Sequence, residues 1–202
     1  MTAIALGLLV QDGLLDWDTP AYQYLPDDER FKGLDQRITI RMLAGHLSGV
    51  RAYAGAEQTS PEFLSTTEYT NSMDPVHVFI NDDLKHEPGT KYLYSTFGST
   101  ILGALIEHTV QKQNPNETYL SFMQHRIFDE LNMEDTSADV YQDIIKNRAR
   151  AYRRTNNQLY NAPHVHLSNK WAGGGFMSTA LDLCKFGNGV LSNKLLSKTI
   201  TE

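Results

Sequence analysis

Cysteine is nearly absent from this chain. Cys184 stands alone among 202 residues, so no internal disulfide can form, which fits a reducing compartment. Long apolar runs are missing too. The longest, Ala3 to Val10, is interrupted by Gly7 and is far too short to span a bilayer as a helix. It also lacks the basic segment that opens a secretory signal. There is no excess of basic charge: 18 Lys and Arg stand against 24 Asp and Glu, a net charge of −6. That balance counts against a nucleic-acid partner, which favours a basic face. The acidic side chains are scattered, as on a solvated surface, rather than gathered in a tail. No internal repeat, linker or low-complexity stretch breaks the chain. What remains is an ordinary globular composition, 41% hydrophobic and 21% charged, in a chain long enough to bury one core.

Apolar periodicity predicts mostly helix. Met1 to Leu15 carries Ala3, Ile4, Ala5, Leu6, Leu8, Leu9 and Val10 with almost no polar face, the mark of a helix buried on nearly all sides. Gly13 is placed to close it in the left-handed conformation. A chain that opens inside such a helix is expected to continue upstream, because domains usually start at an exposed end. Thr39 is an N-cap candidate for a helix over 40–47, broken by Ser48-Gly49. Ser60 to Asn81 reads as short helices joined by loops, and Glu87-Pro88-Gly89-Thr90 as a turn. Phe97 to His108 is a second strongly apolar helix, and Thr118 to Leu131 an amphipathic one. Residues 149–154 and 158–161 form a hairpin about Asn156-Asn157. Thr179 caps a last helix reaching Leu191, with Leu181, Leu183, Phe186 and Val190 expected to face inward.

Four landmarks carry chemistry or its scaffold. They are Leu8 to Asp16, the run Leu43-Ala44-Gly45-His46-Leu47-Ser48-Gly49, the loop Pro88-Gly89 to Tyr94-Ser95-Thr96, and Ala172-Gly173-Gly174 followed by Ser178-Thr179. A serine alcohol is a poor nucleophile and needs a base beside it. A lysine one helical turn on can serve, and a tyrosine near that lysine can relay the proton, its phenol made more acidic by the cation. In this order and spacing the four landmarks resemble the serine beta-lactamase and penicillin-binding-protein superfamily. Tyr94-Ser95-Thr96-Phe97-Gly98, residues 147–150 and Lys170-Trp171-Ala172-Gly173-Gly174-Gly175-Phe176 are most similar to the mitochondrial serine beta-lactamase-like branch found in animals.

That resemblance implies an α/β (α+β) transpeptidase-type fold, of which this chain supplies mainly the helical region with the sheet incomplete. It implies Tyr94 as a catalytic residue and Thr96, Gly173 and Gly174 as residues that line the substrate cleft. It implies a peptide or amide substrate, an acyl-enzyme mechanism, and no metal or cofactor. It also implies a mitochondrial address, self-association into filaments and an influence on lipid metabolism. If Met1 is the true start, the expected address is cytoplasmic.

Three departures limit the reading. No serine in the chain is followed three residues later by lysine, so the family's nucleophile motif is absent and is expected just before Met1. The family's Lys-Thr-Gly-type edge-strand motif is absent too; Lys198-Thr199-Ile200 lacks the glycine. In the tyrosine loop, Thr96 replaces the usual asparagine, and a hydroxyl cannot present an amide to a substrate carbonyl. Residues 1–202 are therefore expected to form a partial domain, truncated at both ends and inactive alone. The alternative is a non-catalytic structural or filament-forming regulator.

Other candidates read as scaffold. His46 and Ser48 do not make the Gly-x-Ser-x-Gly elbow and are expected to tie a helix end through local hydrogen bonds. His164 and His166 alternate as on one strand face, too few for a metal site. Gly173-Gly174-Gly175 reads as a tight turn, Trp171 as core or cleft wall, and Cys184 as a buried, inert thiol. Asp182 reads as a first-turn carboxylate that favours its helix N-terminus.

Overall fold

Residues 1–56 and 59–201 are described by a computed structural model; Glu57, Gln58 and Glu202 lie outside the described residues. Two apolar helices organise it. The first, α1 (Thr2–Gln11), buries Ala5, Leu6, Gly7, Leu8 and Leu9, as a helix without a polar stripe must. It ends where Gly13 takes φ +72° and the Leu14 amide donates to the Leu9 carbonyl at 2.9 Å, a left-handed cap. Gly7 allows a close approach: a Cβ there would stand 2.8 Å from Leu196 Cδ1. The next helix, α2 (Ile40–Ala44), starts on the Thr39 hydroxyl, which accepts from the Met42 amide at 3.2 Å. It stops earlier than the sequence predicts, because His46 adopts φ +57°.

The central helix is α3 (Thr96–Gln111), packed on α1, α2 and the helices that follow. Ile101, Ala104, Leu105 and Ile106 are fully enclosed along it. Glu107 is enclosed as well, and its two carboxylate oxygens accept from the Ser72 and Tyr119 amides at 3.0 Å each. One side chain thus satisfies two buried donors that lie far apart in sequence. The amphipathic segment 118–131 forms α4 (Tyr119–Met123), opened by a reciprocal Thr118–Ser121 capping box, and runs on as a π-turn over Gln124–Phe128. Tyr119, Phe122, Ile127, Phe128 and Leu131 all enter the core.

Strands are few and short. β1 (Ser137–Ala138) pairs antiparallel with a later strand, and β2 (Tyr152–Thr155) pairs with β3 (Gln158–Asn161) in a hairpin. Asn156 and Asn157 turn that hairpin at φ +48° and +64°, a primed turn that asparagine tolerates. After it come α5 (Trp171–Gly174), β4 (Phe176–Met177), which is the partner of β1, then α6 (Ala180–Leu191) and α7 (Lys198–Thr201). Among the described residues no helix is long and apolar enough to cross a membrane.

The orientation of α6 differs from the sequence expectation. Thr179 caps it as read, accepting from the Asp182 amide at 3.2 Å. Leu181 and Leu183, however, are exposed at 75% and 51%. The buried face holds Asp182 and Gly189. Asp182 sets this rotation: its carboxylate accepts from the Asp135 amide and the Thr136 hydroxyl at 2.9 Å and from Lys185 at 2.7 Å. Gly189 lets the helix close on Leu131, whose Cδ2 would stand 2.4 Å from any added Cβ. Cys184 follows the same rotation and is exposed, not buried.

Candidate active site

Tyr94 lies on the stretch that joins the 87–90 turn to α3. Gly89, at φ +80°, makes the turn, and the Thr90 amide closes it on the Glu87 carbonyl at 3.2 Å. Three backbone bonds then tie this stretch to the segment after α2. The amides of Lys85, Gly89 and Leu93 donate to the carbonyls of Gly49, Leu47 and His46, each at 2.8 Å. Ser95 fixes the other side. Its hydroxyl donates to the Arg51 carbonyl at 2.6 Å and accepts from the Gly98 amide at 3.1 Å, so it is the N-cap of α3. Tyr94 is left 52% exposed on a loop held at both ends, while Ser95 and Thr96 beside it are buried.

Arg51 supports this loop from below. Its guanidinium pairs with Glu62 at 2.7 Å and Asp82 at 2.6 Å and lies 5.0 Å from the centre of the Phe97 ring, which stacks on Phe79. The hydrogen bond from Arg51 holds the Glu62 carboxyl below its usual range against the opposing effect of burial. The sequence contained no local signal for this hub, because Arg51, Glu62 and Asp82 share no motif spacing.

Thr96 meets the glycine run. A Cβ on Gly173 would stand 2.7 Å from Thr96 Cγ2, and one on Gly103 would stand 3.0 Å from Ala172 Cβ. The run is therefore not the tight turn that the sequence predicts. Gly173 and Gly174 end a helical turn, closed by the Gly175 amide on the Trp171 carbonyl at 3.1 Å, and none of the three has positive φ. Small size at a helix crossing accounts for Gly173. Gly175 is small for a related reason, since a Cβ there would fall 2.6 Å from Trp171 Cα. Gly174 is exposed with open space around it.

The start of α1 reaches the same place. The Thr2 hydroxyl donates to the Ala172 carbonyl at 2.7 Å and shares a 2.9 Å hydrogen bond with the Tyr119 hydroxyl. Burial pushes the Tyr119 phenol above its ordinary pKa, so it serves as a neutral strut. Thr96 and Gly173 thus meet close to the N-terminal end of α1, which is joined to them through Ala172, and Tyr94 stands two residues before Thr96 on its loop. Enclosed space nearby is small. A cavity of about 10 Å³ among Ser72, Thr100, Gly103, Asn169 and Trp171 has room for roughly one water.

The remaining candidates fall outside this convergence. Ser48 accepts locally from the Val50 amide at 3.3 Å. His166 caps the turn over 167–170, and His164 lies against Tyr141 with ring centres 4.1 Å apart, so the two histidines do not form the alternating strand that their spacing predicts. Trp171 packs at the edge of the core. The Asp182 carboxylate accepts from the 135–136 loop, while its amide donates to the Thr179 hydroxyl at its own helix start. Lys170 is buried; its ammonium donates to the Phe63 carbonyl at 2.7 Å and lies 4.2 Å from the Phe63 ring centre. It ties the 60s loop to α5, a role its place in the motif did not disclose.

A tyrosine loop feeding a buried helix, set against a glycine run and a second apolar helix, defines the helical part of an α/β serine-hydrolase-type fold. The chain belongs to the beta-lactamase family, whose model matches residues 1–202. It is 31% identical to the human mitochondrial serine beta-lactamase-like protein LACTB, over 95% of this chain and 45% of that one. The chain thus spans about half the length of the curated relatives it matches. A D-stereospecific amidohydrolase from Streptomyces superposes with TM-score 0.81 at 24% identity, covering 99% of this chain and 60% of that one. A D-amino acid amidase from Ochrobactrum anthropi gives TM-score 0.79 at 26% identity, covering 99% and 55%. The fold is that of the serine beta-lactamase and penicillin-binding proteins, here helix-rich with small incomplete sheets.

Proposed function

We propose that residues 1–202 form the helical part of a serine hydrolase domain that cleaves a peptide or another amide through an acyl-enzyme. The nucleophilic serine and its lysine come from outside these residues, in this reading just ahead of α1. The serine oxygen attacks the carbonyl carbon, and its proton passes by way of the lysine and Tyr94 to the leaving amine. Water then hydrolyses the ester. Thr96, Gly173 and Gly174 line the cleft, and Thr96 offers the substrate a hydroxyl in place of an amide. The observation that carries the proposal is the convergence of the α1 start, through Thr2 and Ala172, with Gly173, Thr96 and the Tyr94 loop. A nucleophile placed ahead of Thr2 would enter this convergence. The names of the relatives at 31% identity support a mitochondrial address.

Labelling with a fluorescent fluorophosphonate tests the reading. The longest protein encoded around this sequence should be labelled. Its Tyr94→Phe variant should be labelled at least about 100-fold more slowly, in the range of general acid–base contributions. The 202-residue chain should not be labelled. Labelling of that chain, or equal rates with and without the Tyr94 hydroxyl, would overturn the assignment. A second reading is a non-catalytic regulator that self-associates into filaments. The lack of any Ser-x-x-Lys within residues 1–202 favours it. Concentration-dependent assembly of this chain, without labelling of any longer product, would establish that reading instead.

A further inference from the structure

We infer that His46 is a positioning residue for Tyr94, fixing where the phenol stands over the cleft lined by Thr96 and Gly173. The inference rests on the serine-hydrolase reading above for its catalytic meaning, though the contact itself stands without it.

The geometry starts from the end of α2. After Gly45, His46 takes φ +57°, a left-handed conformation uncommon outside glycine, in which Asn, Asp and His are the most frequent side-chain-bearing residues. Ending the helix alone would be served by Gly or Asn. What the histidine adds lies around Tyr94. Its carbonyl accepts from the Leu93 amide at 2.8 Å, and its Nδ1 accepts from the Ser95 amide at 3.4 Å. These two donors flank Tyr94 on either side in sequence. Its ring packs against the Tyr94 ring, with centres 4.7 Å apart and planes tilted by 50°, and meets Tyr92 edge-on at 5.8 Å.

One residue therefore holds Tyr94 before, after and on one face. That arrangement suits a half-exposed phenol. Among the described residues the Tyr94 hydroxyl has no hydrogen-bond partner, so its position is set from the base of the ring. Aromatic rings in tilted contact at this distance hold a preferred orientation. Burial lowers the His46 pKa, which keeps the Nδ1 lone pair available to the Ser95 amide at neutral pH. Ser48, two residues on, makes only a local bond to the Val50 amide, so the clamp belongs to His46 within this motif.

The test uses His46→Gly and His46→Asn, both of which accept the left-handed backbone, so that folding survives the change. In the 202-residue chain carrying 13C-labelled tyrosine rings, with Tyr94→Phe for assignment, His46→Gly should shift the Tyr94 ring signal toward that of a free tyrosine. Exchange of the Ser95 amide hydrogen should accelerate by about tenfold or more as its tether opens. An unchanged Tyr94 signal and unchanged Ser95 exchange would overturn the clamp. In the longest encoded protein, fluorophosphonate labelling of His46→Gly should slow by roughly 10- to 100-fold in the bond-forming step, with probe binding little changed, as for a misplaced catalytic group. His46→Asn, which restores an acceptor but no ring, should fall between. A wild-type labelling rate in His46→Gly, with the ring signal shifted, would overturn the positioning role. Absence of labelling in the wild-type protein would instead overturn the serine-hydrolase reading, while the ring signal and amide exchange still decide the clamp.

Discussion

The Tyr94 loop and the β2–β3 hairpin are both short, polar at their tips and rich in aromatic residues, yet they are held in different ways. The loop is tied by backbone bonds to residues 46–51, by the Ser95 hydroxyl, by the His46 ring and, beneath, by Arg51. The hairpin is held by its own ladder and by a cross-strand contact of Arg153 with the Tyr160 ring, and every one of its strand residues is exposed. An isolated two-stranded hairpin is marginal in water. A loop with several tethers to one distant segment, residues 46–51, keeps its place without regular structure. Rigidity here follows the number of long-range partners, not the presence of strands.

The largest expected effect lies further along α3, the helix that the loop feeds, at Glu107. Glu107→Ala leaves two buried amides without acceptors and should cost about 2–6 kcal/mol, from roughly 1–3 for each orphaned group. Thermal or urea unfolding of the 202-residue chain measures it. Next in size, Gly173→Ala drives a Cβ into Thr96 and should cost about 1–3 kcal/mol. Adding Thr96→Ser, which removes Cγ2, should recover part of that loss; a double-mutant cycle with no coupling would deny the contact. Ser95→Ala removes the α3 cap together with the bond to Arg51 and should cost about 1–2 kcal/mol.

Acid should loosen the loop before the hairpin notices. The Glu62 carboxyl is held below its ordinary value by Arg51. Its contribution is therefore complete above the unfolded pKa and is lost as pH falls through the lower folded value. Stability measured from pH 6 down to about 3 should decline through this carboxylate range, and less steeply in Arg51→Met. The smallest effect belongs to the hairpin itself. Arg153→Ala should change global stability by less than about 0.5 kcal/mol, and amide exchange over 152–161 should be fast in both proteins. Slow exchange there would show that the hairpin is held by something besides its ladder.

Much of this organisation was legible in the sequence. The two apolar helices, the caps at Thr39 and Thr179, the turn at Gly89, and the Asn156-Asn157 hairpin each depend on local patterning, which short-range sterics and hydrogen bonds translate directly. The candidate site was legible in part. Tyr94, Thr96 and Gly173 were found by resemblance to a family pattern; the structure packs Gly173 against Thr96 and leaves Tyr94 exposed on the loop two residues before it. His46, Arg51 and Lys170 were not found as neighbours of that site, because their partners lie tens of residues away. The facing of α6 was misread for a related reason. Leu181 and Leu183 suggest an inward stripe by composition, but the buried hydrogen bonds of Asp182 rotate the helix the other way. Satisfying a buried carboxylate outweighed two leucines.

The sequence by itself determined which segments form the main helices, where several of them are capped, and the family to which they belong, since these follow from near neighbours and ordered motifs. Only the tertiary structure decided that glycine 173 serves a close helix crossing rather than a turn. It alone decided that His46 and Arg51 build the seat of Tyr94, and which side of α6 meets the core. Those outcomes depend on contacts between stretches far apart along the chain, where burial makes each polar group find a partner and each gap fill.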